Sequence, residues 1–140
     1  MKRTATAVWN GSGKDGSGNL TTQSSTLNKA QYSYKTRFEE GVGTNPEELI
    51  AAAHAGCYTM ALAFALQGAG ITPDSLETTS TITLDVTGAA PTITQSHLVL
   101  KAKISGITNE KFQELAKGAE QGCPVSRVLK AEITLDASLI

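Results

Sequence analysis

Two cysteines, Cys57 and Cys123, are the only thiols in this chain of 140 residues. A thiol in a protein packs as a small hydrophobe, binds metal or exchanges electrons. With only two histidines to add to them, the cysteines do not make up the ligand set of a zinc site. A lone cysteine in a helix is more often packing than chemistry, but a second cysteine shifts that balance. Cys123 stands between Gly122 and Pro124, so it is expected at the N-cap of a short helix, where a thiolate is stabilised and the side chain is presented outward. Cys57 falls in the middle of a long helical stretch. It cannot draw on a helix dipole, so lowering its pKa requires a cation brought to it, and Arg37 is a candidate. His54 precedes Cys57 by three residues and shares its helical face, which invites a Cys/His nucleophile reading. A hydrogen-bonded structural histidine is the simpler expectation.

The element that must position these groups is the run from Asn45 to Leu66. Thr44 or Asn45 can cap its start, Pro46 suits the first turn, and Glu47 and Glu48 favour the positive end of the helix dipole. Gly68 and Gly70 supply the stop. Leu49 to Leu66 carries no charge and is apolar on every face, the pattern of a helix buried all round. Eighteen such residues reach the threshold for a membrane span. Seven of them are alanine, His54 and Thr59 interrupt, and no basic flank or aromatic belt follows, so a buried helix is expected and no membrane partner. Many small side chains let a second helix approach closely, most economically a second copy of the same one.

The remaining chain reads as one domain, 1–140, with 40% apolar residues, long enough for a core. Twelve basic against thirteen acidic residues give a net charge of −1; nucleic acid and anionic membranes, which demand a basic patch, are not expected partners. No apolar run follows the basic start Met1-Lys2-Arg3, so no signal peptide is expected and the reducing cytosol is the expected compartment. Thr4 to Trp9, Leu20 to Ser25 and Gln31 to Phe38 read as strands, the first two joined through a Gly/Ser turn. Gly11 to Gly16 matches the dinucleotide pattern GxGxxG, but a strand follows where that motif requires a helix. After the long helix come strands at Leu76 to Val86 and Ile93 to Ile104, a helix capped at Thr108, a short helix after Pro124 and a last strand, Glu132 to Asp136. His97 is expected at a surface or edge. This order is α+β with largely antiparallel sheet.

Three stretches carry a family resemblance: Thr36-Arg37-Phe38, then Gly43-Thr44-Asn45-Pro46-Glu47-Glu48-Leu49-Ile50-Ala51-Ala52-Ala53-His54-Ala55-Gly56-Cys57, and Cys123-Pro124-Val125-Ser126-Arg127-Val128-Leu129. Together they closely resemble the OsmC/Ohr family of osmotically inducible and organic hydroperoxide resistance proteins, with His54 and the ending Ala131 to Asp136 nearer the OsmC branch. The resemblance implies an intertwined homodimer with antiparallel sheets wrapped around two long central helices. It also implies a thiol peroxidase that needs no metal, haem or flavin cofactor. By position, Cys57 matches the peroxidatic cysteine, Cys123 the resolving cysteine, Arg37 the activating arginine and Glu47 the carboxylate that pairs with it. The implied substrate is an organic hydroperoxide, and hydrogen peroxide with it. The implied reductant is a dithiol, of lipoyl type more than thioredoxin.

Sulfur chemistry then gives the expected sequence of events: the Cys57 thiolate becomes a sulfenic acid, and Cys123 condenses with it to a disulfide. Tyr58, Met60, Phe64 and Phe38 could line a pocket for the organic group or could equally be core. Glu47 lies ten residues before Cys57, about 15 Å along one helix at 1.5 Å per residue. Each site is therefore expected to combine Cys57 and Cys123 of one chain with Arg37 and Glu47 of the other. The competing reading is a dimeric stress or small-molecule-binding module whose thiols are incidental.

Overall fold

The computed structural model describes all residues, Met1–Ile140. In chain order the elements are β1 (Ala5–Asn10), β2 (Ser17–Thr22), β3 (Ala30–Ser33), α1 (Tyr34–Phe38), α2 (Pro46–Gly68), β4 (Ser75–Asp85), β5 (Thr92–Lys103), α3 (Asn109–Gly122), α4 (Pro124–Val128) and β6 (Glu132–Leu139). They form an α+β chain with two three-stranded sheets. Its contacts divide it into two compact units, Met1–Leu49 and Ile50–Ile140, each described by itself.

In the first unit β1, β2 and β3 form an antiparallel meander. Gly18 sits under the Trp9 and Tyr32 rings. A Cβ there would stand 2.4 Å from the Val8 carbonyl oxygen and 2.5 Å from the Tyr32 ring, so only glycine lets the strands close. The segment with the GxGxxG pattern is the β1–β2 turn, where Ser12 Oγ accepts from the Asp15 N–H at 3.0 Å; no helix follows it.

The third strand is shorter than its sequence suggests. It ends at Ser33, and Tyr34–Phe38 is a turn of helix rather than strand. The reason is a reciprocal cap: Ser33 Oγ accepts from the Thr36 N–H at 3.3 Å while Thr36 Oγ1 accepts from the Ser33 N–H at 2.9 Å. These local bonds outweigh the strand propensity of Tyr34 and Phe38. Asn45 caps α2, its Oδ1 accepting from the Glu48 N–H at 2.8 Å, and its Nδ2 donates to the Thr36 carbonyl at 2.9 Å. The starts of α1 and α2 are thereby tied together.

In the second unit β5 is the central strand, antiparallel to β4 and parallel to β6. The parallel pair follows from its connection, because α3 and α4 carry the chain back before β6 begins. Every second residue of β5, Ser96, Leu98, Leu100 and Ala102, is buried. Against this face pack Tyr58, Leu62 and Leu66 of α2, Phe112, Ala116 and Ala119 of α3, and Cys123. Full burial of a leucine such as Leu62 contributes about 2 kcal/mol.

Helix α2 is long and apolar enough to cross a membrane by length and composition, yet it buries one stripe in the protein core: His54, Tyr58, Leu62 and Leu66, at intervals of four. The expectation of burial all round is therefore met on one side only in the single chain. Ala52, Ala53, Gly56, Met60 and Phe64 are exposed, with Met60 at 62% and Phe64 at 65%.

Candidate active site

The two thiols are neighbours in the second unit. Cys57 is half-buried on α2, and Cys123 is fully buried at the N-cap of α4; both are free. Cys123 does occupy the cap position its sequence indicated, but it turns into the core rather than outward. Gly122-Cys123-Pro124 ends α3 and begins α4 in one residue, and the extended backbone there directs the side chain toward α2.

The electrostatics of the pair are asymmetric. Burial, and then the adjacent Cys123 side chain, raise the Cys57 pKa above the usual thiol value, against a lowering by the Val125 backbone. At Cys123 burial is the largest influence and acts upward. It is outweighed by the Cys57 side chain, the Ser126 backbone and hydroxyl and the Val125 backbone, which bring the group below its usual value. No side-chain capping hydrogen bond of ordinary geometry joins Cys123 to α4, so proximity to these polar hydrogens rather than a formed cap favours its charge. Within this unit no cation acts on Cys57.

The first unit holds an arginine–glutamate pair. Arg37 on α1 donates from Nε and Nη2 to one oxygen of Glu47, at 3.1 and 2.8 Å. Both bonds converge on Oε1, and Glu47 Oε2 is buried without a hydrogen-bond partner. The Arg37 guanidinium also lies 5.2 Å from the Phe38 ring centre, an attractive placement for a cation. A cleft of about 140 Å³ opens beside it, lined by Trp9, Tyr32, Tyr34, Arg37, Phe38 and Pro46. Arg37 remains 38% exposed and Glu47 12%, so the pair orients the guanidinium more than it stabilises the fold.

The predicted site residues thus fall into two pairs, Cys57 with Cys123 and Arg37 with Glu47, one in each unit. Of the residues considered for a pocket, Tyr58 is core, its hydroxyl donating to the Ala116 carbonyl at 3.4 Å. Met60 and Phe64 are exposed, and Phe38 packs at 4.9 Å against Tyr34. His97 is on the central strand rather than an edge, half-exposed, with Nδ1 2.7 Å from Thr134 Oγ1 and Nε2 3.4 Å from Asp136.

His54 has the structural hydrogen bonds expected of it. The ring is completely buried, Nδ1 lies 2.6 Å from Ser96 Oγ and Nε2 2.8 Å from Ser126 Oγ. Burial lowers its pKa below the usual imidazole value, opposed by the charge of Glu120, so the ring is neutral near pH 7. Sequence reasoning does not assign Ser96 or Ser126 as partners of His54. Each carried a signal: Ser96 is a polar residue on the inward alternation of β5, and Ser126 stands three residues after Cys123.

The family model described as OsmC-like protein matches residues 39–138. Peroxiredoxin OsmC of Escherichia coli (strain K12) is 48% identical over 133 residues, covering 95% of this chain and 93% of its own. The crystal structure of the organic hydroperoxide resistance protein OhrB of Bacillus subtilis is 25% identical, with a TM-score of 0.67 over 98% of both chains. The crystal structure of an organic hydroperoxide resistance protein from Legionella pneumophila is likewise 25% identical, with a TM-score of 0.70 over 97% of this chain and 96% of its own.

Proposed function

The chain belongs to the OsmC family, and we propose that it reduces organic hydroperoxides, and hydrogen peroxide, with Cys57 as the attacking thiolate and Cys123 as the resolving thiol. It is a cysteine-based peroxidase, in line with the peroxiredoxin and the organic hydroperoxide resistance proteins it is similar to. The single observation that carries the residue assignment is the adjacency of its only two thiols, one half-exposed and one buried beside it.

The chemistry balances as follows. The Cys57 thiolate attacks the terminal peroxide oxygen, the O–O bond breaks, and the departing alkoxide takes a proton to become an alcohol, leaving Cys57 as a sulfenic acid. The Cys123 sulfur then bonds to Cys57 as the S–O bond breaks, and the hydroxide leaves as water with the proton that the Cys123 thiol gives up. An external dithiol, of the lipoyl type that the family resemblance implies, reduces the disulfide to two thiols and becomes oxidised itself.

The first step demands a charge on Cys57, which the second unit by itself disfavours. We assign the missing cation to Arg37, held by Glu47, from a second copy of the chain. Three features support a homodimer built this way. The exposed stripe of α2 contains Ala52, Ala53 and Gly56, side chains small enough for a close helix crossing. Met60 and Phe64 continue it as large apolar groups open to water, which a stable monomer seldom leaves in one stripe. Glu47 Oε2 is buried but unpaired, as expected of a group whose surroundings are completed by another chain. With its apolar stripe covered in the dimer, α2 is a core helix, the 140 residues act as one domain, and a reducing cytosol suits the free thiols.

Thiol counting tests the assignment. One equivalent of an organic hydroperoxide should remove both free thiols per chain and produce an intrachain disulfide between Cys57 and Cys123. Thiols that stay reduced over minutes would favour a non-catalytic module instead.

A further inference from the structure

We propose that His54 is a positioning residue for the resolving step, fixing Cys123 beside Cys57 by hydrogen-bonding through Ser126. This rests on the roles just assigned to the two cysteines.

Helix α4 is a single turn, Pro124–Val128, and Ser126 is its only buried residue. Half-buried Val125 adds apolar contact, but apolar contact is not directional. The directional side-chain bond of α4 is the one from Ser126 to His54 Nε2, at 2.8 Å. On its other side the same ring reaches Ser96 Oγ on β5 at 2.6 Å, and Ser96 Oγ in turn lies 3.2 Å from Ser80 Oγ on β4. A rigid aromatic ring with no exposure therefore connects α4 to the two long strands.

The spacing gives this connection its meaning. His54 is three residues before Cys57 on α2, and Ser126 is three residues after Cys123 across the start of α4. The tie thus sits one helical turn from each sulfur and sets the separation of the two backbones that carry them. A neutral ring meets both serines in either tautomer, since a hydroxyl can donate to the bare nitrogen or accept from the protonated one. The charged group that acts on the ring is Glu120 of α3; β4 and β5 present Ser80 and Ser96. The Ser126 hydroxyl also favours the Cys123 thiolate, so its orientation matters for the nucleophile of the second step as well as for its place.

The test separates the two half-reactions in the full dimeric protein. Stopped-flow mixing with a fixed excess of tert-butyl hydroperoxide measures sulfenic acid formation, and quenched samples resolved without reductant measure the Cys57–Cys123 disulfide. Ser126→Ala and His54→Asn, which leaves an amide near the Nδ1 position only, should form the sulfenic acid within about twofold of the wild-type rate. Both should close the disulfide roughly 10- to 100-fold more slowly, the loss that misplacing a reacting group by about an ångström brings. A dicarbonyl trap should capture correspondingly more sulfenic acid. His54→Gln, whose amide reaches the Nε2 position, should restore most of the resolving rate, a rescue that general loosening of the core would not give. The proposal is overturned if Ser126→Ala, the variant least able to disturb folding, resolves at the wild-type rate, or if it slows both half-reactions equally. A wild-type protein that forms no Cys57–Cys123 disulfide would overturn the cysteine roles, and this proposal with them.

Discussion

A Cys57→Ser chain and an Arg37→Ala chain, each inactive or nearly so as a homodimer, should rescue one another when combined. In the mixed dimer one site receives Cys57 and Cys123 from the Arg37→Ala chain and Arg37 with Glu47 from the Cys57→Ser chain, so it is complete. The other site lacks both the nucleophile and the cation. A purified heterodimer should therefore turn over at about one half of the wild-type rate, and an unfractionated equal mixture, in which about half the dimers are mixed, at about one quarter. The contrast with the alternative is large. An opposite charge at close range lowers a pKa by roughly 1 to 3, so the Arg37→Ala homodimer should retain roughly a tenth of the wild-type rate or less. If Arg37 served its own chain, the heterodimer would hold one site without sulfur and one without arginine, at roughly a twentieth of the wild-type rate. The assay is the initial rate of organic hydroperoxide consumption with excess dithiol, on heterodimers purified through two different tags. Wild-type chains carrying the same tags supply the reference. Heterodimers no more active than half the Arg37→Ala homodimer would refute the composite site.

Three further outcomes follow from the same assignments. Cys57→Ser should consume no peroxide, whereas Cys123→Ser should consume about one equivalent per chain and stop as a sulfenic or over-oxidised species, as titration of residual peroxide would show; equal loss of the first turnover in both refutes the roles. In the dimer, Arg37→Ala should raise the Cys57 pKa, read from the pH dependence of ultraviolet thiolate absorbance, and should leave the reduction of a preformed disulfide unchanged. Acid should weaken the fold through His54, whose pKa burial holds below the ordinary 6.5 against the opposing charge of Glu120. The unfolded chain binds that proton at higher pH, so this contribution is full above about pH 6.5 and is lost as the pH falls through the folded value. Urea unfolding across that range should show the slope in the wild type and a flatter one in His54→Asn, at fixed protein concentration.

What the sequence made legible is what depends on neighbours in the chain. The caps of α2, α3 and α4, the strands of the second sheet and the position of Cys123 all come from local chemistry: Asn45 before Pro46, Thr108 before a helical run, Cys123 before Pro124. The local reading failed at Tyr34–Phe38, where aromatic residues suggested a strand and a reciprocal Ser33–Thr36 cap made a helix. That signal was present but short. Long-range facts left weaker traces. No spacing rule brings His54 to Ser96, 42 residues on, or to Ser126, 72 residues on. Yet a serine on the inward alternation of β5 must find a partner once buried, because leaving it unpaired costs about 1–3 kcal/mol. A histidine on the buried stripe of α2 faces the same demand with two nitrogens. Two such unsatisfied groups in one small core are each other's most economical solution, and the remaining ring nitrogen then selects the serine one turn past Cys123. The polar residues that sequence patterning treats as exceptions to the core are thus the ones that specify how the cysteine-bearing helices meet. Apolar packing brings α2 and α4 together, whereas a buried hydrogen bond is satisfied only at one register.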